Sequence, residues 1–181
     1  LDPERRTVLV IPEGFLEECR LLFHFAMRSA RRLPDHRFIF RCHPVMPFDR
    51  VRPFLPWAPE AFPNIEVSER ASFADDCGRA SVVLYRGSSA ALYAVSHGLK
   101  PVYLHDERFY DVDPLFEVTT WREQAGSAQA LERVLARYAK TPAQEAVAAW
   151  REAARYVEEY TIPVTDASVD QWLATVGKRH T

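Results

Sequence analysis

Arg86-Gly87-Ser88-Ser89 places a cation, a residue without a side chain and two hydroxyls side by side. The stretch follows an apolar run, Ser81-Val82-Val83-Leu84-Tyr85. It precedes a small-residue segment, Ala90 to His97, closed by Gly98. The order reads as strand, turn, helix, with Gly98 as C-cap. Gly87 lets backbone approach a bound group closely. Ser88 and Ser89 bring hydroxyls and free N–H groups to a helix start, where phosphate is well held. Arg86 can add a charge-assisted contact. The plain alternative is serine capping of the helix, with no ligand.

Two other turns offer related chemistry. His43-Pro44 closes the apolar run Phe38-Ile39-Phe40-Arg41-Cys42. Proline restricts His43 to extended backbone. A histidine pinned there can donate to a phosphate oxygen, or it can bond only to backbone within a turn. Glu13-Gly14 follows Thr7 to Ile11 and Pro12. Glu13 can accept from a sugar hydroxyl and Gly14 can admit backbone. The alternative is an acid near a helix start, a role Glu17 and Glu18 also fill. His105-Asp106-Glu107 follows the fifth strand and reads as a solvated turn.

Other chemistries find no pattern. His24, His36, His97 and His180 lack metal-ligand spacing, so no metal is expected. Cys19, Cys42 and Cys77 are odd in number and form no CxxC; they read as free, small core residues in a reducing compartment. GxSxG, HExxH and Walker patterns are missing, and no GxGxxG follows the first strand, which argues against a conventional dinucleotide site. No catalytic acid–base pair stands out.

The elements that must position these turns follow from periodicity. Strands are predicted at 7–11, 38–42, 64–67, 81–85 and 101–104, with a last one near Phe116-Glu117-Val118-Thr119. A long helix carries Phe15, Cys19, Leu22, Phe23, Ala26, Met27, Ala30 and Leu33 on one face. Ser72 caps a short helix over 72–77. Prolines 47, 53, 56, 59 and 63 limit residues 45–63 to short helical turns. Helices are predicted at 127–140, 142–159 and 166–176, with Tyr138, Trp150, Tyr156, Tyr160 and Trp172 as their packing residues. Strands alternating with helices predict an α/β class: a Rossmann-like, doubly wound parallel sheet with C-terminal helices. Residues 1–140 form the Rossmann-like domain and 141–181 a helical tail packed on it. In the usual strand order the first and fourth strands are neighbours, so the turns at 12–15 and 86–89 face each other at the carboxyl edge.

Composition sets outer bounds. The 181 residues are 48% hydrophobic and 27% charged, enough to bury a core. The net charge of −2 provides no field for a polyanion, so no nucleic acid is expected as partner. No apolar run is long enough for a transmembrane segment. Arg outnumbers Lys by 20 to 3, which we assign to coding bias. The chain begins Leu1-Asp2 without Met, as an excised piece of a longer protein would.

Taken in order, the Glu-Gly turn, long helix, His43-Pro44, then Arg86-Gly87-Ser88-Ser89, helix and Gly-Leu-Lys-Pro-Val-Tyr-Leu resemble the C-terminal, donor-binding half of a GT-B glycosyltransferase. More narrowly, the chain resembles bacterial surface and capsular polysaccharide enzymes with HP and SS motifs: sialyltransferases, Kdo transferases and teichoic-acid glycerophosphotransferases. The resemblance spans residues 7–120. It implies that His43 contacts the donor phosphate, Pro44 fixes its loop, Ser88 and Ser89 bind phosphate through backbone N–H groups, and Gly87 and Arg86 flank that site. It implies a nucleotide-sugar donor, cytidine-linked, and no further cofactor. It also implies a polysaccharide or lipid-linked acceptor, an N-terminal half of the same protein, and a cytoplasmic location at the inner face of the membrane. Sialyltransferases carry their base in an acidic D/E-D/E-G motif of the other half. Here proline replaces the first acid of Pro12-Glu13-Gly14, so the base role is not transferred to Glu13. The alternatives are a sugar-nucleotide epimerase of related fold and a non-catalytic nucleotide-binding or scaffold domain.

Overall fold

The computed structural model describes residues 1–161 and 165–177; His180 lies outside them. Among these residues six strands form one parallel sheet. They are β1 (Thr7–Ile11), β2 (Arg37–Phe40), β3 (Ile65–Val67), β4 (Val82–Tyr85), β5 (Lys100–Leu104) and β6 (Glu123–Ala125). Their order is β3-β2-β1-β4-β5-β6, the doubly wound order. β1, β4 and β5 are almost continuously buried, as strands covered on both faces must be.

The helices are α1 (Leu16–Arg32), α2 (Phe48–Val51), α3 (Phe73–Arg79), α4 (Ala90–Ser96), α5 (Ala128–Tyr138), α6 (Ala143–Tyr160) and α7 (Asp166–Gly177). Chain order runs outward from the centre in opposite directions through α1 and α4. Right-handed crossovers therefore put these two helices on opposite faces of the sheet. α1 packs against α5 and α4 against α6. Phe23 of α1 stacks on Phe40 of β2, with ring centroids 4.5 Å apart. Asn64 gives its amide to the carbonyls of Ala30, Leu33 and His36, closing the otherwise unpaired end of α1. Trp150 of α6 donates to Val95 O at 2.8 Å. No described helix is long and apolar enough to cross a membrane.

Three expectations need correction. The last strand is Glu123–Ala125, paired with β5, and not 116–119. Asp113-Pro114 starts a turn instead: the Asp113 carboxylate accepts from Leu115 N at 2.9 Å and Leu115 O from Val118 N at 3.0 Å. β2 ends at Phe40, two residues short of its predicted end. Tyr160 and Trp172 are exposed rather than packed. The three cysteines are free. Cys19 and Cys77 are buried and Cys42 is half-buried.

Candidate functional site

β1, β2 and β4 are adjacent, so the turns leaving their carboxyl ends meet above one edge of the sheet. β1 and β4 pair with Ile11 opposite Tyr85. Continuing that register by two residues puts Glu13 opposite Gly87. The three turns enclose a cleft of about 350 Å³ lined by Glu13, Gly14, Phe15, His43, Val45, Gly87, Ser88 and Ser89. Six of the eight residues singled out from the sequence therefore share one wall of space.

Each turn is built for close packing. Gly87 has φ +73°, the left-handed region that glycine enters at no cost. A Cβ at Gly87 would collide with Glu13 Oε1, so the missing side chain makes room for that carboxyl. Gly14 serves His43 in the same way. A Cβ there would stand 2.7 Å from Val45 Cγ2 and 3.0 Å from His43 Nδ1. The Glu13 carbonyl is fixed by the Cys19 thiol, which donates to it at 3.2 Å.

Pro44 does not line the cleft. It occupies the second position of a turn closed by Met46 N donating to His43 O at 2.9 Å, where its fixed φ is favoured. The turn also orients the imidazole: Val45 N donates to His43 Nδ1 at 3.3 Å. A neutral ring that accepts at Nδ1 carries its proton on Nε2, leaving an N–H donor for a ligand. On the opposite turn, the N–H groups of Gly87, Ser88 and Ser89 have no acceptor among the described residues. Ser88 is buried, Ser89 is exposed, and Ser89 makes no side-chain cap. Donors thus come from two walls of the cleft, and one carboxylate, Glu13, stands between them.

Arg86 is turned away. Its side chain is 3% exposed and pairs with Glu18 in the first turn of α1. Nη2 donates to Tyr110 O at 2.8 Å, and the guanidinium lies over the Phe109 ring. Sequence reading assigned Glu18 to the helix dipole alone and missed this pair, which joins residues 68 positions apart. Arg86 thereby ties the 105–113 segment down beside the cleft. Asp113 anchors the far end of that segment, accepting from Tyr85 Oη at 2.7 Å and pairing with Arg122. Val112 reaches the Gly87 loop, while Tyr110 is 93% exposed. His105 pairs with Asp111 and Asp106 with Arg108, and neither acid lines the cleft.

The electrostatics centre on Glu13. Burial, and next the Glu18 carboxylate, raise its pKa above the ordinary value; Arg86 and His43 oppose them. Among the described residues no group of three or more potential metal ligands exists. The arrangement can hold an anion by N–H donors from two loops, with a carboxylate at its side.

No protein-family model matches the chain, and no curated protein is similar to it in sequence. Solved structures match in fold. The calicheamicin glycosyltransferase CalG4 superposes with a TM-score of 0.61 at 18% identity, over 99% of this chain and 44% of its own. The spinosyn forosaminyltransferase SpnP gives 0.60 at 17% identity, over 96% of this chain and 44% of its own. The UDP-GlcNAc 2-epimerase of Methanocaldococcus jannaschii, solved with UDP-GlcNAc and UDP, gives 0.55 at 13%, over 87% and 45%. The chain spans less than half the length of each. At these identities the likeness is one of fold: the Rossmann-like α/β domain found in GT-B glycosyltransferases.

Proposed function

We propose that this chain is the nucleotide-sugar donor-binding domain of a glycosyltransferase, with the donor phosphate in the cleft between His43 and the Gly87–Ser89 turn. One observation carries the reading. Turns from three separate strands converge where the sheet order reverses, the position at which doubly wound sheets bind ligands. Departure of the sugar leaves added negative charge on the phosphate. Donors already fixed in place stabilise that charge with little rearrangement. His43 Nε2–H and the N–H groups of Ser88 and Ser89 are those donors. Arg86 acts one step back, by holding the loop that borders them. The base for an acceptor hydroxyl belongs to a second half, which this reading expects.

The finer assignment is a bacterial surface-polysaccharide enzyme, working in the cytoplasm at the inner membrane face with a cytidine-linked donor. It rests on the HP and SS motifs. A single phosphate suits one histidine and one loop, and Arg86, already paired, adds no free cation for a second. Titration with CMP, CDP, UDP and GDP tests the donor: a cytidine nucleotide should bind tightest. His43→Ala should lose about 1–3 kcal/mol of that binding. Preference for UDP or GDP would refute the cytidine assignment, and equal affinity of His43→Ala would remove His43 from the site.

The likeness to the epimerase favours a second reading, epimerisation of a sugar nucleotide. Incubating the full-length protein with a sugar nucleotide alone separates the two. An isomerised product supports epimerisation, and dependence on an acceptor supports transfer.

A further inference from the structure

Among the described residues lining the cleft, the carboxylate of Glu13 is the one group whose sign opposes a phosphate. Its position is built. The β1–β4 register sets Glu13 opposite Gly87, and Gly87 lacks the Cβ that would displace Oε1. The carboxyl therefore touches the loop whose N–H groups have no acceptor among the described residues. Nearby charges pull both ways: Glu18 faces it from α1 and opposes its charge, while Arg86, already paired with Glu18, and His43 from the β2 turn favour it less than burial and Glu18 disfavour it. Burial and Glu18 push its pKa upward, so negative charge is already disfavoured here before an anion arrives.

We infer that Glu13 is a specificity-determining residue that discriminates by phosphate charge, accepting the esterified phosphate of an intact donor and disfavouring the more highly charged free nucleotide. The inference rests on the donor-binding reading. In sugar transfer the bond from the sugar carbon to the phosphate oxygen breaks and its electron pair stays on that oxygen. The acceptor oxygen takes the carbon and gives its proton to the base that this reading expects on the second half. The nucleotide left behind carries one more negative charge than it did as an ester. At about 5 Å, in the high effective dielectric of a half-open cleft, one extra unit charge costs a factor of roughly 4 to 20 in affinity. The same carboxylate that tolerates the donor thus promotes departure of the product.

The test uses CMP and UDP, each free and with its terminal phosphate methylated, titrated at pH 8 into wild type and Glu13→Gln. In wild type the methyl ester of each pair should bind tighter. In Glu13→Gln that ratio should shrink by roughly 4- to 20-fold, and by no less than about twofold, through tighter binding of the free nucleotide. Glu13→Asp, which keeps the charge but withdraws it from Gly87, should fall between, and it carries the test if the Gln variant does not fold. A ratio unchanged within twofold in the variants overturns the inference and leaves the donor reading standing. So does equal weakening of ester and free nucleotide, the mark of a carboxylate that accepts from a sugar hydroxyl. Binding of none of the four ligands overturns both.

Discussion

Replacing Arg86 by Met separates a structural cation from a ligand-binding one. The side chain is 3% exposed and holds Glu18, the Tyr110 carbonyl and the Phe109 ring. Met fills much of the volume but leaves Glu18 without its partner, and Glu18 Oε2 is already buried without a hydrogen bond. Removing one member of a buried ion pair costs about 3–5 kcal/mol. Glu18 keeps 23% of its side-chain surface and can partly rehydrate, so we expect about 2–3 kcal/mol. For a chain of this length each kcal/mol moves Tm by roughly 2–4 °C, which gives a fall of roughly 4–12 °C. Glu18→Gln in the same chain should recover part of it, because the stranded charge is gone. The assay is thermal and urea unfolding followed by circular dichroism, beside nucleotide titration. A variant that melts within about 2 °C of wild type but loses tenfold or more in nucleotide affinity would refute the reasoning. Arg86 would then belong to the ligand.

Gly14→Ala should be nearly neutral for stability, within about 1 kcal/mol, because no left-handed backbone is needed there. Its methyl would nevertheless displace Val45 and the His43 ring, so nucleotide affinity should fall about as far as in His43→Ala. Unchanged affinity would show that the ring position is immaterial. Burial pushes the Cys19 thiol up to about 11 and the Cys77 thiol up to about 12, from 9.0. The folded chain keeps these protons while the unfolded chain releases them. Their contribution is intact below pH 9 and is lost as pH rises through 11 to 12. Urea midpoints from pH 8 upward should therefore fall less steeply in Cys19→Ala/Cys77→Ala, and identical slopes would count against burial of the thiols. Asn64→Ala should cost about 1–3 kcal/mol, since the Ala30 and His36 carbonyls lose the amide donor and the Leu33 carbonyl keeps only His36 N, and a smaller loss would mean water replaces it.

The legible parts of this sequence were those governed by short-range pattern. β1, β4 and β5 are buried apolar runs, and glycine or proline punctuates the turns that follow β1 and β4. The strand order then brought Glu13, His43 and Ser88 together, because residues just beyond strand ends share an edge. Long-range pairing was illegible. Arg86 looked like a free cation because nothing local marks Glu18 as its partner. β6 escaped because an outer strand of Glu-Gln-Ala buries only Ala125 and carries no apolar alternation. Phe116 and Val118 mimicked a strand, yet the Asp113 side chain bends the backbone there. The usable signal for β6 lay just downstream, in Gly126-Ser127, where Ser127 caps α5 by accepting from Ala130 N.

The central pairing of β1 with β4 joins residues 7–11 to residues 82–85, while β1 to β2 and β4 to β5 are each closed by a single helix. The molecule is therefore two local β-α-β modules zipped along one distant seam. Contacts so far apart in sequence form late, after their loop-closure entropy has been met. The cleft lies on that seam, with Glu13 and His43 from one module and Gly87 to Ser89 from the other. An anion held there bridges the modules and binds only once they have joined. It should slow their parting, so protection from hydrogen exchange across β1 and β4 should rise with ligand more than it does at the outer strands.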